Sequence, residues 1–358
     1  MSLKELGWDS HFDGLWQESP VTACVPGRVV SQHRGLWRIA GDFEERWAAP
    51  SGKMRAIPAG SDWPAVGDWV IAEIPDGDKQ AIIHGVLQRR SQFVRKTAGK
   101  RVAQQVIVAN VDTAFIVVAL DGDFNLRRLE RYLAQGRESG AMPVVLLNKA
   151  DQCDDLAVRI AEVEQIAMGI AVFALSARNG RGVEMLQPFL ASGRTVVLLG
   201  SSGAGKSTLV NRLMGEQHQQ TQAIREKDSR GRHTTTSREL LILPGGAMVI
   251  DTPGLRELQL WDATEGVAET FADVDELATQ CRFGNCRHED EPGCAVQAAL
   301  TAGTLDPARL ESRRKLEREQ EFLLRKVDPA ANKEEKHRIK LQEREVRQKY
   351  KKRQEDTR

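Results

Sequence analysis

Eight residues, Gly200-Ser201-Ser202-Gly203-Ala204-Gly205-Lys206-Ser207, could wrap a triphosphate. Backbone N–H groups must come close to phosphate oxygens, and side chains would obstruct that approach. Gly200, Gly203 and Gly205 remove the obstruction, and a helix starting at Lys206 would add its positive end. Lys206 would reach the β- and γ-phosphates, and the Ser207 hydroxyl would bind Mg²⁺. Thr208 would contact the α-phosphate or pack in the first helical turn. Asp251 ends a second apolar run, as a magnesium-organising carboxylate should, and the Gly254 N–H of Asp251-Thr252-Pro253-Gly254 could meet the γ-phosphate. In Asn148-Lys149-Ala150-Asp151, the Asp151 carboxylate could accept hydrogen bonds from guanine N1–H and N2–H₂. Adenine has no such donor pair. Asn148 and Lys149 would brace the base and the loop, and Ser176-Ala177 suits a backbone contact to guanine O6. Together these elements describe a site for GTP with Mg²⁺.

Such residues need strands that end where they begin. Thr195–Leu199 is an apolar strand leading into the phosphate loop, and Lys206–Leu213 opens a helix. Ala114–Leu120, Pro143–Leu147 and Ala171–Leu175 read as further strands, with helices over Leu126–Glu138 and Leu156–Met168. Leu240–Leu243 and Met248–Ile250 read as a strand pair. Repeated β-α alternation predicts a doubly wound α/β sheet with helices on both faces. In small GTPases the phosphate loop comes first and the base motif late. Here the base motif precedes the loop, so the predicted GTPase domain is circularly permuted.

Arg225–Thr236 is polar, contains Gly231 and has no strand pattern, as a nucleotide-sensing switch requires. One of Thr234, Thr235 and Thr236 is expected to complete the Mg²⁺ shell, with Thr235 or Thr236 favoured. Many small GTPases carry a water-orienting Gln directly after the Asp-x-x-Gly element. This chain has Leu255, which cannot orient water. Intrinsic hydrolysis should be slow unless another group acts, and His233 is the nearest candidate; a solvated loop histidine is the alternative.

Cys281-x₄-Cys286-x-His288-x₅-Cys294 offers three thiolates and one imidazole, which suit a closed, structural, tetrahedral Zn²⁺ site. An odd total of five cysteines, three of them crowded beside a histidine, argues against a disulfide framework and for a reducing, cytoplasmic setting. The chain of 358 residues has a net charge of +1 and no apolar run near the length of a membrane span, so neither a membrane nor DNA is an expected partner.

Six of seven tryptophans lie at or before Trp69, setting the N-terminal hundred or so residues apart. Short runs such as Gly27–Val30, Gly35–Ile39, Asp68–Ala72 and Ala81–Ile83 predict a small five-stranded barrel. Arg89, Arg90, Arg95, Lys96, Lys100 and Arg101, with Phe93 among them, predict an RNA-contacting loop there. Residues 311–358 hold 17 Lys and Arg against 11 Asp and Glu, a second basic surface. The expected organisation is a mobile arm (1–20), an OB-fold-like barrel (21–108), a permuted GTPase domain (109–262), a helical zinc-binding domain (263–325) and a charged helical tail (326–358).

Barrel, permuted motifs, GRHTTT and the metal spacing together resemble the circularly permuted GTPases that act in late maturation of the bacterial small ribosomal subunit. The resemblance covers about residues 20–325. It implies an N-terminal OB-fold, one zinc, hydrolysis stimulated by the small subunit, and release after hydrolysis, with the small subunit and its rRNA as the expected partners. A monomer is expected. The competing reading is an RNA-binding checkpoint module that holds GTP with little turnover, which Leu255 favours.

Overall fold

The computed structural model describes residues 1–19, 23–33, 35–57, 63–77, 80–96, 104–215, 238–251 and 263–327. Five strands close the N-terminal barrel: β1 (Val25–His33), β2 (Leu36–Gly41), β3 (Phe43–Pro50), β4 (Trp69–Glu73) and β5 (Ala81–Val86). They run in the order β1-β2-β3-β5-β4 and return to β1; β3 and β5 pair in parallel and the rest antiparallel. Trp37 and Ile39 point inward while Leu36 and Arg38 point outward, the two-residue alternation of a barrel wall. Four strands lie where the sequence predicts them. The fifth strand, β3, has no predicted position, since Phe43-Glu44-Glu45-Arg46 carries no alternation; it forms by pairing with β2 over Phe43–Ala48 and with β5 over Ala48–Pro50. Helix α1 (Ser10–Gln17) precedes the barrel and the short α2 (Gly52–Arg55) follows β3, and a separate hairpin, β6 (Gln92–Lys96) and β7 (Gln104–Ala109), leads to the next domain.

The central sheet contains β8 (Thr113–Ala119), β9 (Met142–Asn148), β10 (Val172–Ala174), β11 (Thr195–Leu199), β12 (Arg238–Ile242) and β13 (Met248–Asp251). Its order is β10-β9-β8-β11-β13-β12, parallel except at β12. Every residue of β8 and β11 is buried, because helices cover both faces. Leu129 and Leu133 of α3 (Leu126–Glu138) and Val163 of α4 (Leu156–Ile166) pack on one face. Leu209 and Val210 of α5 (Lys206–Met214) pack on the other, with Leu186. β12 also pairs with β1, Ser31 opposite Glu239, so barrel and central domain share one eleven-stranded sheet.

Four helices follow: α6 (Thr264–Thr270), α7 (Ala272–Thr279), α8 (Ala295–Ala302) and α9 (Pro307–Val327). Their core is Phe271, Val274, Val296, Leu310 and Leu316, and it includes Ala134 of α3. At Gly266 of α6 a Cβ would lie 2.1 Å from the Ala134 carbonyl oxygen, so glycine is what lets the two helices touch. The buried Glu130 of α3 pairs with Arg309 of α9 at 2.9 Å, and Arg309 also pairs with Asp273. Among the described residues no helix is long and apolar enough to cross a membrane.

The N-terminal segment departs from expectation. It is packed against the body of the protein, not a free arm. A helix before the barrel (Ser10–Gln17) is capped by Asp9, and Leu6 and Phe12 are buried. Trp8 and Phe12 stack against Trp69, with ring centroids 4.8 and 5.8 Å away. The side chain of Arg28 is wholly buried under this segment. It donates to the carbonyls of Leu6, Gly67 and Asn110 and to Thr195 Oγ1 at 2.8 Å. Burial pushes the Arg28 guanidinium down to about 10. One side chain therefore joins the N-terminal segment, the barrel, the interdomain link and β11. Arg28→Ala would strand the buried carbonyls of Leu6 and Asn110, while that of Gly67 keeps a bond from Asn110 Nδ2. It should lower stability by on the order of 2–4 kcal/mol, read as a shift in the urea midpoint by tryptophan fluorescence; an unchanged midpoint would contradict this role.

Candidate functional site

The phosphate loop leaves β11 at Gly200, whose φ of 142° and close contact suit glycine alone. A Cβ there would sit 2.3 Å from the Val117 carbonyl oxygen of β8. At Gly205 (φ 94°) a Cβ would lie 2.1 Å from Asn148 Nδ2, whereas Gly203 (φ 82°) faces open space and is needed only for its backbone conformation. Lys206 Nζ donates to the carbonyls of Gly200 at 2.7 Å and Ser201 at 2.5 Å, spanning the loop. Ser202, Ser207 and Thr208 are exposed and Ala204 is buried.

The base motif ends β9, which lies two strands from β11. Asn148 is 2% exposed. Its amide donates to the Ala204 carbonyl at 2.8 Å and accepts from the Ala177 N–H at 2.9 Å. Three of the four sequence elements of the predicted pocket thus meet on one side chain. Lys149 adopts a left-handed φ of 66°, which turns Ala150-Asp151 off the strand, and the Ala150 N–H donates to the Leu175 carbonyl at 3.1 Å. Asp151 is exposed, and a hydrogen bond from Ser176 holds its carboxyl below the usual carboxylate range. Asp251 ends β13 one residue beyond Ile250, which stands opposite Val197 of β11. That register brings the end of β13 beside the strand that feeds the loop. His233, Thr234, Thr235, Thr236, Gly254 and Leu255 lie outside the described residues.

The sequence reading missed two carboxylates. Asp121 Oδ2 lies 2.5 Å from Lys149 Nζ, and Asp123 Oδ2 accepts from Ser201 Oγ at 2.5 Å. Their signal was present: Asp121-Gly122-Asp123 follows the apolar strand β8, at the strand end where doubly wound sheets bind ligands.

The second cluster joins Cys281, Cys286, His288 and Cys294, whose ligand atoms all lie within 4.8 Å of one another. The Cys281 and Cys294 sulfurs are 3.8 Å apart, and His288 Nδ1 is 3.5 and 3.4 Å from them. A tetrahedral ion with sulfur bonds of about 2.3 Å would set its sulfurs about 3.8 Å apart, so the cluster could hold a metal ion. Cys294 caps α8, accepting from the Gln297 N–H, and Gln297 and Arg314 both donate to the His288 carbonyl.

The expected RNA-contacting group at the barrel is partly spent on internal bonds. Phe93 is 2% exposed and packs in the core, because it pairs with Val108 across the β6–β7 hairpin. Arg89 is bound to the buried Asp68, Arg90 pairs with Asp9, and Arg95 bonds Gln105. Lys100 and Arg101 lie outside the described residues, as does the side chain of Lys96.

A sequence model of the RsgA GTPase family matches residues 86–261. A protein of Opitutus terrae named small ribosomal subunit biogenesis GTPase RsgA is 49% identical over 350 residues, 95% of each chain. The chain belongs to the RsgA GTPase family. It is accordingly a GTP hydrolase. A protein of the same name from Syntrophotalea carbinolica is 47% identical over 320 residues, 87% of this chain and 88% of its own. A second sequence model, described as 50S ribosome-binding GTPase, matches residues 195–356. That match starts with β11 and leaves the base motif outside, as the permuted order demands. The crystal structure of YjeQ from Thermotoga maritima superposes with a TM-score of 0.58 at 28% identity, over 81% of this chain and 96% of that one. YloQ, described as a circularly permuted GTPase, gives 0.55 at 23% identity over 82% and 93%, a likeness of fold.

Asp151→Asn exchanges an acceptor pair for one acceptor and one donor, which suits xanthine better than guanine. GTP affinity should fall on the order of 100-fold and XTP affinity should rise, by titration with fluorescent nucleotides; retained GTP preference would remove Asp151 from base reading.

Proposed function

We propose that this chain is a GTP-driven factor in maturation of the small ribosomal subunit, working in the cytoplasm. The observation that carries the nucleotide part is Asn148, which ties the base motif to the phosphate loop and to Ser176-Ala177. The subunit part rests on relatives of that name matched along nearly the whole chain. Gly200 to Thr208 cradle the phosphates, with Lys206 on the β- and γ-phosphates. Ser207, Asp251 and Thr235 or Thr236 organise Mg²⁺, and the Gly254 N–H meets the γ-phosphate. Asp151, with Asn148, Lys149 and Ala150, reads guanine, and Ser176-Ala177 contact its O6. Leu255 leaves the attacking water unoriented, and His233 supplies the orientation in the subunit-bound state.

The proposed contact is to rRNA, carried by the basic C-terminal segment and by what the barrel leaves free. GTP favours binding, and hydrolysis favours release. By linkage the subunit must then prefer the GTP-bound protein. The protein acts as a monomer. Cys281, Cys286, His288 and Cys294 hold one Zn²⁺, which cross-links the 281–294 loop to α8; four protein ligands leave no position for catalysis.

GTP hydrolysis should be slow alone and rise at least tenfold with small subunits, not with large ones, and be lost in Lys206→Ala. GTP binding without stimulation by either subunit would favour the checkpoint module of low turnover. For the metal, one zinc per chain is expected by elemental analysis. Cys294→Ser should lose it and melt the C-terminal helices well below the rest of the protein; full helix content without metal would refute a structural zinc.

A further inference from the structure

Two routes of hydrogen bonds join the base motif to the phosphate loop, and one of them does not use Asn148. It begins at Lys149, whose ammonium lies 2.5 Å from Asp121 Oδ2. Asp121 Oδ1 then accepts from the Asp123 N–H at 2.9 Å. Asp123 Oδ2 accepts from Ser201 Oγ at 2.5 Å, within the range of charge-assisted hydroxyl–carboxylate bonds. We propose that Asp121 and Asp123 are positioning residues of the nucleotide site: Asp121 fixes Lys149 beside the base, and Asp123 fixes Ser201 in the phosphate loop. The proposal rests on the reading of these loops as a GTP site.

Simpler roles do not account for the pair. Asn125, not Asp123, caps α3, accepting from the Arg128 N–H. Asp123 also pairs with Arg128 at 2.6 Å, but the two side chains are 39% and 37% exposed. An ion pair so wetted adds little stability. What the carboxylate does hold is Ser201, the second residue of a loop whose glycines leave its backbone unusually free. Bonds from Arg128 and Ser201 keep the Asp123 carboxyl below the usual carboxylate range, so it stays an acceptor at neutral pH. A loop held in its binding shape loses less conformational freedom when nucleotide arrives, and the gain appears as affinity.

Asp123→Ala, Ser201→Ala and the double variant would be compared with the wild-type full chain in titrations with fluorescent GDP and GTP. Thermal melting would establish that each is folded. Each single change should weaken GDP about tenfold, and the double change should weaken it no further, because both remove the same bond. Additive losses, or folded single variants that bind as the wild type does, would overturn the role of Asp123. If Asp123→Ala does not fold, Ser201→Ala still removes the bond, and wild-type affinity in that variant would refute it. Asp121→Ala should raise KM for GTP about tenfold while leaving kcat with small subunits unchanged. A fall in kcat at constant KM would overturn the role of Asp121. If the wild type itself fails to bind GDP, it is the GTP reading that falls.

Discussion

The nucleotide pocket depends on one buried amide. Asn148 has a donor pair and an acceptor, and it spends them on two separate loops, Ala204 after β11 and Ala177 after β10. In a low-dielectric setting both bonds must be made, because a buried amide left unpaired is costly. The neighbouring sequence is shaped by that need. Gly205 has no side chain because the Asn148 amide occupies the space where its Cβ would go. Gly200 has none because the backbone of β8 passes there. Chain order does not enter. The same contacts form whether the base motif precedes the loop or follows it, which is why the permuted chain can build an ordinary pocket.

Helix α3 is the surface the pocket shares with the C-terminal domain. Its first turn holds Arg128, bonded to Asp123 next to the phosphate loop. Two residues on, Glu130 is buried against Arg309, and further along Ala134 and Glu138 meet Gly266. Burial raises the Glu130 carboxyl above its ordinary value, opposed by Ser312, Arg127 and Arg309. A pair like this adds little net stability over apolar packing, but it tolerates no alternative register, since either partner alone would be a buried, unpaired charge. The helical domain is therefore held on α3 in one position.

What could be read from the sequence was whatever nearby residues determine. Buried parallel strands are continuous apolar runs, so β8, β9 and β11 were legible within a residue or two. The grouping of Cys281, Cys286, His288 and Cys294 was legible because their loop is short. β3 was not, because Phe43-Glu44-Glu45-Arg46 is drawn into a strand by β2, with β5 pairing only from Ala48 onward. The docking of the N-terminal helix was hidden for a related reason. Trp8, Phe12 and Trp16 have helical spacing, but the ring that receives the first two, Trp69, lies far along the chain. Phe93 misled because an aromatic among arginines looks like a stacking platform, and only the register of its hairpin shows it facing inward. Asp121 and Asp123 were passed over because their partners are a lysine and a serine already assigned to other work.

The pairing of β1 with β12 also governs the timing of synthesis. Ser31 cannot meet Glu239, nor Arg28 meet Met248, until some 220 further residues have been made, roughly 10 to 45 s at cellular elongation rates. In that interval the barrel can close on itself, but the Ser31–Gln32 edge of β1 stays open, and an open strand edge invites wrong partners. The Asn148–Asp151 segment also emerges before Gly200–Ser207. The nascent chain can thus carry a finished barrel and the Asn148–Ala177 half of the pocket while the seam between barrel and central sheet still waits for β12. Permutation makes the phosphate loop, not the base motif, the half that arrives last.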